Sequence, residues 1–216
     1  MIIAIDGPAG AGKSTIAKII AQKLGFLYID TGAMYRALTL KALEDKIEIK
    51  DTAALIAMAR KANIDLTNNP DGSIKVMLDG NEVTKDIRQP IITRFVSDIA
   101  KIKEVRGVML CLQRKLGEGR NAVLDGRDIG TVVFPDAEKK FYLDADLKER
   151  ANRRFKELKE ADQKITLKDT RDDVANRDKI DSTREHAPLK KAEDAIYIDT
   201  TDMPIEEVVD EIWKNL

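Results

Sequence analysis

The chain has 216 residues and a nearly even charge balance, 37 Lys plus Arg against 38 Asp plus Glu, for a formal net charge of −1. That length suits one domain with a proper core, and the balance excludes a broad basic field for nucleic acid or a membrane surface, so any anion site must be local. A single cysteine, Cys111, excludes a disulfide framework or a Cys-rich zinc site, no apolar run approaches the roughly 20 residues of a spanning helix, and the first residues run straight into a strand without a basic-plus-apolar leader. These readings point to the cytoplasm. Charged residues make up 35% of the chain, which fits charge-laced helix surfaces.

In chain order, the apolar run Ile2 to Ile5 lacks alternation and reads as a strand covered on both faces. Helical spacing follows from Ser14 to Leu24, then a further strand at Phe26 to Ile29 and helices at Met34 to Leu43 and Ala53 to Ala62. From Asn63 to Val83 the rhythm changes. Ile64, Leu66, Ile74, Val76 and Leu78 recur at period two, with turn signals at Asn68 to Gly72 and at Asp79-Gly80, so a small antiparallel insert is expected over about 63–85. One long helix is expected from Thr93 to Leu116. Strands at Ala122 to Leu124, Phe141 to Leu143 and Ala195 to Ile198 then alternate with helices at Leu147 to Leu158, Leu167 to Asp178 and Glu206 to Leu216. Alternating strands and helices joined by right-handed crossovers predict a three-layer α/β fold with a parallel sheet, in a single domain over 1–216.

The segment Gly7-Pro8-Ala9-Gly10-Ala11-Gly12-Lys13-Ser14 matches the G-x-x-x-x-G-K-[ST] loop, and it stands between a strand and a helical pattern as that loop requires. Its glycines let successive N–H groups face one anion, the helix points its positive end there, and Lys13 reaches the terminal phosphates. Ser14 is the expected Mg²⁺ ligand, and Thr15 completes the ATP-binding set. The loop identifies a nucleotide-binding class and leaves the second substrate open.

Two further clusters follow strands. In Asp30-Thr31-Gly32-Ala33-Met34-Tyr35-Arg36, Thr31 is expected to cap a helix whose free N–H groups, with Arg36, bind an anion; a capped surface helix with a solvated arginine is the alternative. In Asp125-Gly126-Arg127-Asp128-Ile129-Gly130, Asp125 can accept from a Mg²⁺-bound water, Arg127 can fork onto a phosphate, and Asp128 can accept from a base amine; an internal Arg–Asp pair is the alternative. Arg150, Arg153 and Arg154 share one predicted helix, and Arg177, Asp181 and Arg184 follow at helical spacings. Mobile arginines of this kind suit a lid, placed at about 147–165, that closes over ATP.

Together these segments, with Thr131-Val132-Val133-Phe134-Pro135 and Asp181-Ser182-Thr183-Arg184 to Ala187-Pro188-Leu189, resemble the cytidylate kinases among the P-loop nucleoside monophosphate kinases, in an order that spans nearly the whole chain. The resemblance implies a P-loop kinase core with a small antiparallel β insert as the monophosphate-binding lobe and a helical lid. It implies that Thr31, Arg36 and Arg127 hold the CMP phosphate, that Tyr35 packs near the nucleotide, and that Ser97, Arg106 and Asp128 contact the cytosine. Arg177, Asp181 and Arg184 are implied at the pentose and phosphates, with Lys13, Arg127 and Arg184 acting on the reaction. The expected activity is ATP + CMP ⇌ ADP + CDP, with dCMP as a further acceptor, ATP and Mg²⁺ as cofactors, and a monomer that engages neither nucleic acid nor membrane. A kinase for another monophosphate such as UMP, or a P-loop regulatory ATPase that transfers nothing, is the rival expectation.

Three features are set aside. His186 reads as polar loop surface, Cys111 as a small buried hydrophobe on an apolar helix, and Trp213 with Ile205, Val208, Val209 and Ile212 as the stripe docking the last helix.

Overall fold

The computed structural model describes residues 1–69, 72–160 and 165–216. Five strands form one parallel sheet: β1 (Ile2–Asp6), β2 (Leu27–Asp30), β6 (Ala122–Gly126), β7 (Lys139–Asp144) and β8 (Ile196–Asp199), in the order β2-β6-β1-β7-β8. The register pairs Ile2 with Ala122 and Asp6 with Gly126, which sets the ends of β1 and β6 side by side. Every apolar run read as a strand is in this sheet.

Side-chain alternation sorts the strands onto two cores. Ile3 and Ile5 of β1, with Val123, Phe141 and Ile198, face α1 (Lys13–Leu24) and α8 (Ile205–Lys214). Ala4, Ile29, Ala122 and Leu124 face the opposite layer of α2 (Thr31–Glu44), α3 (Thr52–Ala59), α4 (Pro90–Ala100) and α5 (Lys103–Gly117). Both faces of the central strands are therefore dry, which is why β1 and β6 read as continuously apolar and not alternating, whereas the edge strand β8 buries Ile198 and leaves Tyr197 half exposed. Ile20 and Ile212, from α1 and α8, are fully shielded. Truncating such a side chain costs about 2–5 kcal/mol.

The three-stranded antiparallel sheet joins β3 (Ile64–Asn68), β4 (Ile74–Leu78) and β5 (Asn81–Glu82), with Ile64 opposite Leu78 and Leu66 opposite Val76. Those four side chains are buried in the α2-side core, while Asp65 and Thr67 face out. The two-residue turn Asp79-Gly80 has φ 49° and 86°, the doubly positive pattern of a tight hairpin whose twist matches its strands. Pro70 and Asp71 of the other expected turn lie outside the described residues.

The structure corrects several expectations. The single helix from Thr93 to Leu116 is two helices, because Ile102 takes an extended conformation (φ −71°, ψ 119°) and the chain turns a corner closed by Arg106 donating to the carbonyl of Ala100 at 3.2 Å. Each half is amphipathic and no Gly or Pro stands at 101 or 102, so periodicity alone runs straight through the break. The helix expected to end at Asp178 extends as α7 (Leu167–Thr183), packed along α6 (Leu147–Glu160). Cys111 is exposed, not buried. Val208, Val209 and Ile212 do dock α8, whereas Ile205 and Trp213 are about half exposed, and Lys23 lies over the Trp213 ring at 5.8 Å. His186 is half-buried, 3.6 Å from Glu185.

Candidate active site

The loop from Gly7 to Ser14 leaves the carboxyl end of the central strand β1 and feeds α1. Gly7 has φ 148°, and a Cβ there would stand 1.9 Å from the carbonyl oxygen of Leu143, so only glycine lets β1 exit beside β7. Gly10 and Gly12 also have positive φ, which curls the loop around a concavity facing the N-terminus of α1. Lys13 is buried and donates to the carbonyl of Pro8 at 2.6 Å. Burial first, and then repulsion from Arg127, hold its ammonium well below the usual lysine range. A buried cation repelled by Arg127 and Arg177, against attraction from Asp125 and Asp178, is a place for an anionic ligand.

Ser14, at the start of α1, donates from Oγ to Oδ2 of Asp125 at 2.7 Å, and Tyr28 Oη donates to Oδ1 of the same carboxylate at 2.8 Å. Burial, followed by repulsion from Asp30, raises the Asp125 carboxyl to about 6. A hydroxyl joined to a buried, charge-averse carboxylate is an all-oxygen donor pair that suits a hard cation retaining several waters, so these residues fit Mg²⁺. Thr15 is exposed one residue on.

On the neighbouring strand ends, Thr31 is buried but caps nothing. Asp30 is the cap of α2, accepting from the Ala33 N–H at 2.7 Å, while Thr31 Oγ1 donates to the carbonyl of Asp125 at 2.7 Å and ties α2 to β6. The cap expected at Thr31 is thus one residue earlier, where a carboxylate accepts more strongly. Arg36, one turn into α2, is buried and donates to Thr93 Oγ1 at 2.8 Å. Burial and the nearby Arg177, Arg154 and Arg88 charges push its guanidinium well below the usual arginine range. The alternative of a solvated surface arginine is excluded.

Arg127 follows β6. Its Nε donates to Asp181 at 3.0 Å and its Nη1 to the Gly126 carbonyl at 3.2 Å. The alternative of an Arg–Asp pair internal to the turn does not describe the observed pairing: Arg127 pairs with Asp181, and Asp128 with Arg106 of α5 and, at 3.4 Å, with Arg184. Asp181 is the hub of α7, with Arg184 at 3.5 Å and Arg177 at 4.0 Å besides Arg127. Burial opposes its charge, yet attraction from Arg127, Arg177 and Arg184 keeps the carboxyl below its usual range. Burial, then Arg127, lower Arg177 to about 10. Ser97 is buried on α4, and Tyr35 lies under the Arg106 guanidinium at 5.5 Å. Burial raises the Tyr35 phenol to about 12. Arg106 Nε and Arg177 Nε are buried without a hydrogen-bond acceptor. Orphaned guanidinium donors of this kind await one.

The α6 arginines diverge. Arg150 is buried, donates to the carbonyls of Ala145 at 2.7 Å and Ala9 at 3.0 Å, and pairs with Asp178, whose other oxygen accepts from the Ala9 N–H at 3.0 Å. Arg153 reaches Thr200 Oγ1 at 3.0 Å in the loop between β8 and α8, and Arg154 pairs with Glu157 at 2.8 Å. Residues 161–164 of the expected lid lie outside the described residues.

Asp6, Tyr28 and Thr93 carry no role from the sequence, and neither does Asp178, although it stands in the Arg177-Asp178 stretch that shares the family resemblance. Asp6 carries the one available signal, a carboxylate at the last position of an apolar strand immediately before the loop.

Residues 3–216 match the family described as Cytidylate kinase. The chain is 51% identical over 214 residues to the cytidylate kinase of Caldanaerobacter subterraneus subsp. tengcongensis, covering 99% of this chain and 93% of that one. It is 50% identical to that of Clostridioides difficile (100% and 98% covered) and 52% identical to that of Geobacillus sp. strain WCH70 (98% and 94%). An uncharacterized protein from Eubacterium ventriosum shares the fold at a TM-score of 0.53 and 14% identity, covering 100% of this chain and 97% of that one. A P-loop on the central strand, a basic pocket across its carboxyl edge and half-identity to cytidylate kinases over the full chain place this protein in the cytidylate kinase family.

Proposed function

We infer that this chain is a nucleoside monophosphate kinase that transfers the terminal phosphoryl group of ATP to CMP, with dCMP as a second acceptor. The observation that supports the reading is two groups of buried cationic and amide donors on one sheet edge. One is built of backbone amides with Lys13, the other of Arg36, Arg127 and Arg177, and the Arg127 charge reaches Lys13 strongly enough to depress its basicity.

Gly7 to Thr15 hold the ATP phosphates, and Arg153 serves the same nucleotide. Ser14 holds Mg²⁺, with Asp125 accepting through water; the ion, when bound, supplies charge neutralisation at the phosphates. Thr31, Arg36 and Arg127 hold the CMP phosphate, and Tyr35 packs near the nucleotide. Ser97, Arg106 and Asp128 read the cytosine. A carboxylate accepts from the exocyclic amine and a guanidinium donates to the ring carbonyl, whereas uracil offers a carbonyl to the carboxylate. Arg177, Asp181 and Arg184 serve the pentose and the phosphates.

The acceptor is already a phosphate, so no general base is required. An acceptor oxygen forms the new P–O bond in line as the bond to the ADP oxygen breaks, without a covalent enzyme intermediate, and Lys13, Arg127 and Arg184 meet the charge on the transferring group. The insert over 63–85 serves as the monophosphate lobe and 147–165 as a lid within one domain. Closure over both nucleotides excludes water and suppresses wasteful hydrolysis. The protein works as a cytoplasmic monomer on small molecules; the even charge balance supports small nucleotides over nucleic acid or a membrane surface as its partners.

A panel of CMP, dCMP, UMP, AMP and dTMP with ATP and Mg²⁺ tests the reading. ADP production should depend on the acceptor and be fastest with CMP; hydrolysis independent of CMP would overturn it.

A further inference from the structure

Asp6 ends the central strand and points neither into the phosphate loop nor into solvent; it is 4% exposed. Its Oδ1 accepts from the N–H of Ile129 and its Oδ2 from the N–H of Gly130, both at 2.8 Å. These are the first two amides after Asp128, so the first bond fixes the peptide that sets ψ of Asp128. The Asp128 carbonyl is held from the other side by the N–H groups of Val132 at 2.9 Å and Val133 at 3.1 Å, in a wide helical turn over Ile129–Val133. A negative charge in this position is costly: burial raises the Asp6 carboxyl to about 7 despite its two amide partners. A residue kept there against that cost has both oxygens committed to one turn.

We propose that Asp6 is a positioning residue for acceptor recognition, its carboxylate clamping the turn that aims Asp128 at the base. The inference rests on the assignment of Asp128 as cytosine reader. Asp6 also adjoins Gly7, whose lack of a Cβ fixes the exit of β1 against Leu143. One side chain therefore links the start of the phosphate loop to the turn bearing Arg127 and Asp128. A base-reading carboxylate held to a fraction of an ångström must have such support, because a displacement of about 1 Å costs as much as a hundredfold in rate.

Asp6→Asn keeps the shape but turns one acceptor into an NH₂ group facing a backbone N–H. The clamp loses one bond and gains a repulsion. The expected result is a loss of about tenfold or more in the CMP-over-UMP ratio of kcat/KM, carried by a higher CMP KM, with the ATP KM shifting much less. Asp128→Asn is measured beside it. If Asp128→Asn lowers the ratio and folded Asp6→Asn does not, or if ATP and CMP KM rise together in Asp6→Asn, the positioning role is overturned while the base reader stands. An unchanged ratio in both overturns the base reader and the clamp with it.

Asp6→Ser covers the case in which Asp6→Asn does not fold. Its single hydroxyl is smaller than the carboxylate and can satisfy at most one of the Ile129 and Gly130 N–H groups, so the turn is held by fewer bonds. The CMP-over-UMP ratio should fall several-fold; a wild-type ratio in this variant, with Asp6→Asn unfolded, overturns the proposal.

Discussion

Replacing Arg127 by alanine separates rate from stability in a way the structure makes quantitative. Arg127 ties to Asp181 at 3.0 Å, but Asp181 keeps Arg184 at 3.5 Å and Arg177 at 4.0 Å, so the carboxylate is not stranded when the guanidinium goes. Breaking a part-buried ionic hydrogen bond costs about 1.5–3 kcal/mol. Against that, Arg127 is the largest repulsive charge acting on both Lys13 and Arg177, and its removal relieves them. The net loss of stability is therefore expected near 1 kcal/mol, a fall of about 2–4 °C in the thermal midpoint for a chain of this length. On the reaction side, nothing replaces a fork on the transferred and accepting phosphates, and kcat/KM for CMP should drop by about 10²–10³. Coupled ADP detection across a CMP titration, with a melting curve on the same preparation, measures both. Acceptor kinetics within twofold of wild type, or a midpoint lowered by more than about 10 °C, would refute the account of Arg127 as a phosphate-binding group held in a redundant ion network.

Further outcomes follow from the same geometry. Gly7→Ala forces a Cβ to 1.9 Å from a backbone oxygen that cannot retreat without moving β7, so it should lower stability by more than about 3 kcal/mol; denaturant midpoints decide it. Asp6 is raised from 3.8 to about 7, so the folded state binds the extra proton between those values and its stability falls as pH rises through that window. Relative to Asp6→Asn, the wild type should lose about 2 kcal/mol between pH 5.5 and 8, whereas parallel curves from urea unfolding would contradict the burial argument. Ile212→Ala, cutting a fully shielded contact between α8 and the sheet, should cost about 2–5 kcal/mol while leaving KM for both nucleotides unchanged, as steady-state kinetics below the new midpoint would record.

Much of the architecture was legible residue by residue because it is locally encoded. The phosphate loop declares itself through glycines at the positions where φ is positive, the β4–β5 hairpin through Asp79-Gly80, and the parallel strands through runs with no polar face. Each of these depends on a window of a few residues, so backbone sterics and burial on both faces suffice to reveal it. Arg36 and Arg127 drew the expectation of anion binding because each follows a strand, and the sheet order β2-β6-β1 brings those strand ends to the same edge as the loop.

What required tertiary structure were pairings between segments remote in sequence. Asp30 and Thr31 are adjacent candidate caps on paper; the stronger acceptor Asp30 takes the cap, and the fold draws the Thr31 hydroxyl to the Asp125 carbonyl 94 residues away. The break at Ile102 is invisible to periodicity, yet it swings Arg106 back onto Asp128. Asp6 is a strand end by sequence and becomes a clamp only because β6 lies against β1, delivering two amides from 123 and 124 positions onward. Cys111 and Trp213 carry apolar signatures, yet Cys111 is exposed and Trp213 about half exposed, with Lys23 of α1 over its ring. Local sterics set which elements the chain forms; which charges meet at the carboxyl edge of the sheet is decided by strand order, since hydrogen bonds and ion pairs act over a few ångströms whatever the separation along the chain.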